Sequence, residues 1–298
     1  MHHGTDVPRG EARVSQLNEF NPKRSLGQNF LIAPNLQRKI VAELASGPES
    51  TVLEIGPGHG ELSQHLVSRV GRLTMVEKDR LLVAQLSARW GTLDGVTIVE
   101  GDALQLNLSE LMSHSSGPVR VISNVPYNIT SPLIFSLLAM RPVPERIVLT
   151  VQKELAERGV AAPGQKSYGA LSVGVQAVAR VSLRFSIGRE VFRPRPEVDS
   201  SVLLVEPEPE AIGTVKPSAL RSVTRACFNR RRKQLQKILR SAPELSFEGD
   251  PISFLNELGI SPKQRPESLS PITFVRLTEA LQKLKRVELK EGSTYVGL

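Results

Sequence analysis

Residues 50–69 constrain the fold most. The run 50–55 (Ser-Thr-Val-Leu-Glu-Ile) is largely apolar and β-branched, and it reads as a buried strand. Gly56-Pro57-Gly58-His59-Gly60 follows, and 61–69 reads as a helix. Strand, glycine-rich turn and helix in that order open a nucleotide-binding unit of a doubly wound sheet. Glycines there let the backbone approach a ligand closely. The third glycine is Gly60, however, whereas a dinucleotide fingerprint needs one at 61, where Glu61 stands. A carboxylate beside a helix start suits a diphosphate poorly, because that position favours anions. The turn therefore fits a nucleoside with a small charged side chain.

Three more strand-like runs end the same way. The run 72–76 leads to Glu77-Lys78-Asp79, the run 96–100 to Gly101-Asp102-Ala103, and the run 118–123 to Asn124-Val125-Pro126-Tyr127. In open parallel sheets, ligands bind outside such strand ends. Glu77 follows Gly56 by about twenty residues, the register of a carboxylate that binds ribose hydroxyls; a solvated loop charge is the alternative. Asp102 can accept from an adenine amino group or cap the next segment. Asn124 offers an acceptor and a donor, Pro126 stiffens the turn, and Tyr127 offers a face for a base. Together they fit a planar exocyclic amine held by two acceptors beside an aromatic plate. A polar turn with a locally packed tyrosine is the rival reading.

Around this frame, 34–45 reads as an amphipathic helix, with 28–31 as its core-packed lead-in. Strands are expected at 146–152, 181–185 and 200–206, the last two as an antiparallel hairpin. The connection 153–171 reads as a long loop carrying Lys153, Arg158, Lys166 and Tyr168, able to bind substrate or simply to be solvated. Glu206-Pro207-Glu208-Pro209-Glu210 reads as a linker. Beyond it, 225–240 reads as one helix with seven basic residues and no acidic one, which points to phosphate contacts. Further helices are expected at 253–258 and 270–284. The organisation is a flexible arm over 1–20, a catalytic domain over 21–207, a helical domain over 208–285 and a tail over 286–298.

Composition agrees. Hydrophobic residues make up 40% and charged residues 23% of 298, enough for a globular core. Lys and Arg number 38 against 30 acidic residues, and the net charge of +8 suggests a polyanionic partner. A single cysteine, Cys227, forms no internal disulfide and suits a reducing cytosol, where it reads as inert packing. The N-terminal residues lack an apolar signal core, and no run is long and apolar enough to span a membrane. His2 and His3 read as part of a tail or a cloning remnant rather than a metal pair.

Five stretches carry a resemblance to a known family: 26–31 (Leu-Gly-Gln-Asn-Phe-Leu), 54–60, 124–128, 152–154 with 163–172, and 192–200 (Phe-Arg-Pro-Arg-Pro-Glu-Val-Asp-Ser). On these the chain resembles class I S-adenosylmethionine methyltransferases, and more narrowly the KsgA-type rRNA adenine dimethyltransferases, from about residue 22 to 280. Val125 stands where leucine is usual and His59 where an apolar residue is common. The resemblance implies an α/β fold, with a mostly parallel Rossmann-like sheet ending in an antiparallel hairpin and a smaller all-helical C-terminal domain. It implies S-adenosylmethionine as cofactor, S-adenosylhomocysteine as product, and no metal. It assigns Asn29, Leu31, Gly56, Gly58, Glu77, Asp102 and Asn124 to the cofactor, with 28–31 closing over it. It assigns Asn124, Pro126 and Tyr127 to catalysis, with Phe192 facing Tyr127 across the target base.

RNA contacts are expected from Lys153, Arg158, Lys166, Arg230, Arg231, Arg232 and Lys233. The implied substrate is small-subunit rRNA in an immature subunit, dimethylated on two adjacent adenosines near its 3′ end, by a cytoplasmic monomer acting late in assembly. Two alternatives stand beside this: an Erm-type methyltransferase of large-subunit rRNA, and a non-catalytic nucleic-acid-binding factor on the same scaffold.

Overall fold

The computed structural model describes residues 27–213 and 215–284. The arm, His2 and His3, the basic lead-in through residue 26 and the tail 286–298 lie outside the described residues. In chain order the elements are β1 (Phe30–Leu31), α1 (Pro34–Glu43), β2 (Thr51–Ile55), β3 (Arg72–Glu77), α2 (Arg80–Trp90), β4 (Val96–Glu100), α3 (Leu108–Leu111), β5 (Val119–Asn124), α4 (Thr130–Leu138), β6 (Arg146–Gln152), α5 (Lys153–Val160), α6 (Ala170–Gln176), β7 (Ala179–Ile187), β8 (Phe192–Arg193), β9 (Ser200–Pro207), α7 (Pro217–Phe228), α8 (Leu235–Ser241), α9 (Pro251–Glu257) and α10 (Pro271–Lys283).

Seven strands form one sheet in the order β4-β3-β2-β5-β6-β9-β7. The strands from β4 to β6 are parallel, and β9 runs antiparallel between β6 and β7. The β7–β9 hairpin is thus the one expected, on a class I methyltransferase sheet. A separate two-stranded pair joins β1 to β8.

Alternation along the strands builds a layer on each face. Leu53, Ile55, Val121, Leu149 and Leu203 pack on one side with Leu133, Ile134 and Leu137 of α4. Val52, Met75, Ile122, Val148 and Leu204 pack on the other with Ile40 and Val41 of α1 and Leu86 and Trp90 of α2. Each fully buried side chain of this size contributes about 1.5–3 kcal/mol. A third cluster joins α7, α8, α9 and α10 through Leu220, Val223, Ile238, Leu255 and Phe274.

Three local expectations change. The stretch 153–171 is not an open loop: α5 occupies its first half. Its second half enters the third cluster through Ala161 and Tyr168, and the Tyr168 hydroxyl donates to the Leu269 carbonyl at 2.7 Å. The helix expected at 61–69 is a run of turns with one 3-10 turn at Ser63–His65, because three- and four-residue hydrogen-bond spacings interleave there. The helix expected at 225–240 is broken at 229–234. The first N–H groups of α8 find their acceptors outside the helix, Leu235 on the Gln264 carbonyl at 2.8 Å and Gln236 on the Pro262 carbonyl at 3.1 Å. Cys227 is buried at 1% exposure and burial pushes its thiol up to about 12, so it is inert packing as read from the sequence.

Candidate functional site

Register delivers the polar strand ends to one row. Ile55 of β2 lies opposite Ser123 of β5 and Val76 of β3, so Gly56, Asn124 and Glu77 come next, side by side. The ladder runs on past the strands: Gly56 N–H donates to the Val76 carbonyl, Gly101 N–H to the Glu77 carbonyl, and Val125 N–H to the Thr150 carbonyl. Asn29, Leu31, Gly56, Gly58, Glu77, Asp102, Asn124, Pro126 and Tyr127 all line one cleft above that row. Nine of the ten expected cofactor and catalytic residues are thereby together.

Gly56 and Gly58 hold φ of +65° and +63°, a left-handed conformation that favours glycine. The Gly58 N–H and the Asp79 N–H both donate to the Glu77 carboxylate, at 3.2 and 2.9 Å. Burial raises the Glu77 carboxyl, and these backbone donors partly oppose that. Asp102 plays both parts read for it: it lines the cleft, and it caps the next turn by accepting from Leu104 N–H at 2.9 Å. Partial burial raises its carboxyl, but the Lys78 ammonium at 2.9 Å and the Leu104 N–H outweigh that and leave it below the ordinary value.

Two further carboxyls join the site: Glu54, which the sequence reading did not assign, and Glu61, which it read only as unfavourable to a diphosphate. Glu54 of β2 is buried at 1% exposure and lines the cleft, and among the described residues only Ser63 is near enough to ease its burial, without a well-formed hydrogen bond to either oxygen. Burial, with Glu61 and Glu77 nearby, pushes it up to about 8. Glu61 folds back to accept from His59 N–H at 3.1 Å, and burial pushes it up to about 7. An acid inside the apolar run 50–55 is the signal that could have found Glu54. Glu54 is neutral at pH 7, but carboxyls at 61, 77 and 102 remain and the one lysine of the lining, Lys78, is already paired, so the cleft favours a cation. S-adenosylmethionine carries a sulfonium and an α-ammonium, so this donor set fits it and disfavours a pyrophosphate. Among the described residues no cluster of metal-ligating side chains occurs.

The segment 27–31 forms one wall. Gln28 Nε2 donates to Asp79 at 3.1 Å, and the Phe30 ring lies 4.5 Å from that of His59. The Leu31 carbonyl accepts from buried Gln37 at 2.6 Å, and Gln37 is held in turn by Gln64 and His65. The Asn29 carbonyl accepts from the side-chain nitrogen of Asn124 at 2.9 Å. A carbonyl oxygen can only accept, so this contact orients the Asn124 amide. Among the described residues nothing donates to Asn124 Oδ1.

Pro126 and Tyr127 begin a tight turn in which Ile129 N–H donates to the Pro126 carbonyl at 3.1 Å. The Tyr127 hydroxyl meets Ser200 Oγ at 2.8 Å. Phe192 departs from expectation. It is wholly buried, pairs with Leu31 across β1 and β8, and packs among Ile40, Ile187 and Val202. The ring is wholly buried and does not line the cleft, so of the two expected aromatic plates only Tyr127 stands there.

Of the expected RNA contacts, Lys153, Arg158 and Lys166 are exposed on or after α5. Arg230 and Arg231 are engaged in internal contacts. Arg230 is paired with Glu244 at 2.9 Å, and Arg231 with Glu267 at 2.7 Å and the Lys166 carbonyl at 2.8 Å. Arg232 and Lys233 are exposed and share a basic recess with Lys237, Arg240 and Arg265, which the sequence reading did not separate from their neighbours.

Comparison with known proteins agrees with this geometry. Residues 19–283 match the family model described as ribosomal RNA adenine dimethylase. The chain is 42% identical over 262 residues to the ribosomal RNA small subunit methyltransferase A of Nitratidesulfovibrio vulgaris strain DP4, covering 87% of this chain and 96% of that one. It is 39% identical over 280 residues to the protein of the same name from Salinibacter ruber, covering 92% and 90%. Its structure is similar to a dimethyladenosine transferase from Plasmodium falciparum with a TM-score of 0.76 at 25% identity, covering 86% and 98%.

Proposed function

The chain belongs to the ribosomal RNA adenine dimethylase family, and from that premise we propose how its cleft works. It is an S-adenosylmethionine-dependent adenine dimethyltransferase of small-subunit rRNA. The finer assignments are our own reading. The target is two adjacent adenosines near the 3′ end of that rRNA, within an immature small subunit. The enzyme acts as a monomer in the cytoplasm.

The oriented amide of Asn124 carries this reading. An adenine amino nitrogen is a poor nucleophile because its lone pair is delocalised into the ring. Asn124 Oδ1 accepts one of its N–H bonds. The Pro126 carbonyl is already taken by Ile129 N–H, so the Val125 carbonyl accepts the other. Two acceptors in this arrangement draw the nitrogen towards tetrahedral geometry and bring its lone pair forward. When bound, the cofactor supplies an electrophilic methyl on sulfur. Gly56 and Gly58 bring backbone close to it, Glu77 accepts from its ribose, and Asp102 accepts from its adenine. Tyr127 stacks on the target base once that base leaves its helix, an interaction worth about 1–3 kcal/mol. Holding the reacting atoms in line supplies much of the rate. No strong general base is required, since the proton becomes acidic after transfer.

The exposed recess of Arg232, Lys233, Lys237, Arg240 and Arg265 offers five cations to RNA phosphates. Lys153, Arg158 and Lys166 extend basic surface along α5. The deciding experiment is transfer of labelled methyl groups to small subunits that lack the modification, with large-subunit RNA in parallel and nucleoside analysis of the product. Dimethyladenosine on the small subunit alone is expected. Label on large-subunit RNA alone would overturn the assignment.

A further inference from the structure

β9 is buried along nearly its whole length, and Ser200 and Ser201 open it. A strand position enclosed on both faces is best filled by a β-branched apolar side chain. A hydroxyl there costs desolvation unless it is hydrogen-bonded. Ser201 spends its hydroxyl on Ser186 within the sheet, at 3.3 Å. Ser200 spends its own outside the sheet, on the phenol of Tyr127 at 2.8 Å.

The two ends of that bond differ in rigidity. Ser200 lies opposite Gln152 of β6 and Ile187 of β7, so neighbouring strands hold it on both sides. The residue before it is pinned as well: the Asp199 carbonyl accepts from Lys153 N–H at 3.0 Å, and its carboxylate accepts from Arg189 N–H at 3.1 Å. Tyr127 instead starts a single tight turn, and its half-buried ring swings on two side-chain bonds. A tether at the tip of the ring removes both freedoms. Burial pushes the phenol above its ordinary value, with the Ser200 hydrogen bond acting in the opposite direction. The tether is therefore a neutral O–H···O contact at neutral pH.

We propose that Ser200 is a positioning residue that locks the Tyr127 ring as a preset plate for the target adenine. This rests on the reading of Tyr127 as the base plate. Ser200 itself touches neither base nor cofactor. Its effect is to spare the base the entropy of ordering the ring at each turnover. It also ties the plate to β9, whose neighbour β6 ends at Gln152 just before Lys153, so the base site and the exposed basic start of α5 share one rigid anchor.

The test is a double-mutant cycle. Ser200→Ala and Tyr127→Phe delete the same hydrogen bond from opposite ends without removing the ring. Rates on immature small subunits are measured for each variant and for the pair, with cofactor affinity by calorimetry. Each single change is expected to lower kcat about five-fold, the scale of one net hydrogen bond, with KM and cofactor affinity little changed. The pair is expected to lose no more than either alone. Wild-type kcat in Ser200→Ala, or losses that multiply in the pair, would overturn the proposal. A serine that only supported the fold would give multiplying losses and a changed cofactor affinity. Tyr127→Ala separates the two readings. If it leaves kcat unchanged, the base-plate reading fails and the proposal with it. If it lowers kcat while both hydroxyl deletions do not, only the role of Ser200 fails.

Discussion

The side-chain nitrogen of Asn124 donates to the backbone carbonyl of Asn29 at 2.9 Å, joining residues 95 apart in sequence. The segment that walls the cleft thus decides which way the Asn124 amide points. Without that carbonyl the amide could turn over and present N–H groups to an amine that needs acceptors. On the proposed mechanism, competence at Asn124 depends on order at 27–31.

Asn124→Ala removes the acceptor and is expected to lower methyl transfer by about 10²–10³-fold, the usual cost of one contact aimed at developing charge. Cofactor affinity is expected to fall only moderately. Single-turnover rates beside calorimetric affinities separate the two effects, and near wild-type turnover would refute the mechanism.

Glu77→Gln keeps the shape but loses the charge that gathers two backbone N–H groups and faces the ribose site. Cofactor affinity is expected to weaken about 10- to 100-fold, matching the loss of a charge-assisted contact. Transfer at saturating cofactor should be far less affected. An unchanged dissociation constant would remove Glu77 from the cofactor site.

Gly58→Ala tests the wall at 27–31. A Cβ there would lie 2.9 Å from the Phe30 ring and 3.0 Å from Glu61 Oε2, at φ +63°. Gly164→Ala is the control, since Gly164 also has positive φ but nothing within 4 Å. Both carry about 1–2 kcal/mol of backbone strain. Only Gly58→Ala is expected to weaken cofactor binding as well, by about ten-fold or more, and equal affinities in the two variants would show that Phe30 does not depend on Gly58.

The basic segment divides into paired residues, Arg230 and Arg231, and an exposed set, Arg232, Lys233 and Lys237. Charge reversal at Arg232, Lys233 and Lys237 is expected to weaken RNA binding and flatten its salt dependence by roughly one unit of slope per lost phosphate contact. Reversal at Arg230 or Arg231 is expected instead to lower the melting temperature, because each would set like charges against Glu244 or Glu267. An unaltered salt slope in the first set would place the RNA surface elsewhere.

Glu54→Gln tests the buried acid. In the folded chain Glu54 keeps its proton to about pH 8, against 4.5 when unfolded. Between those values unfolding releases a proton that folding retains, so rising pH favours the unfolded chain. The wild type is therefore expected to lose a few kcal/mol between pH 5 and 8, at about 1.4 kcal/mol per pKa unit. The neutral variant lacks this term, so its stability relative to wild type should grow with pH. Parallel melting curves across that range would contradict the assignment.

Much of the chain was legible from local pattern. Alternation and apolar runs gave all seven strands of the main sheet to within two residues at each end, and the residues at the ends of β2, β3, β4 and β5 marked the cleft. Those signals are local. A strand declares itself by a period of two, and parallel topology forces strand ends to one side whatever the side chains are. Glycines at 56 and 58 were readable for the same reason, since φ is a property of the residue itself.

The rest depended on pairs distant in sequence. Arg231 and Arg232 are neighbours of one type, yet Glu267 claims one and leaves the other exposed. The resemblance made Phe192 a base plate, yet the fold buries it beside Leu31, far away in the chain. Residues 161–168 read as a loop because their partners, Leu269 among them, lie about a hundred residues on. The sequence by itself determined the strands of the main sheet and most of the residues at its carboxyl edge. Only the tertiary structure decided which charges are free, which aromatic ring is covered and which way the Asn124 amide points. Burial and hydrogen-bond partnership belong to pairs of residues brought together by the fold, and no local pattern encodes them.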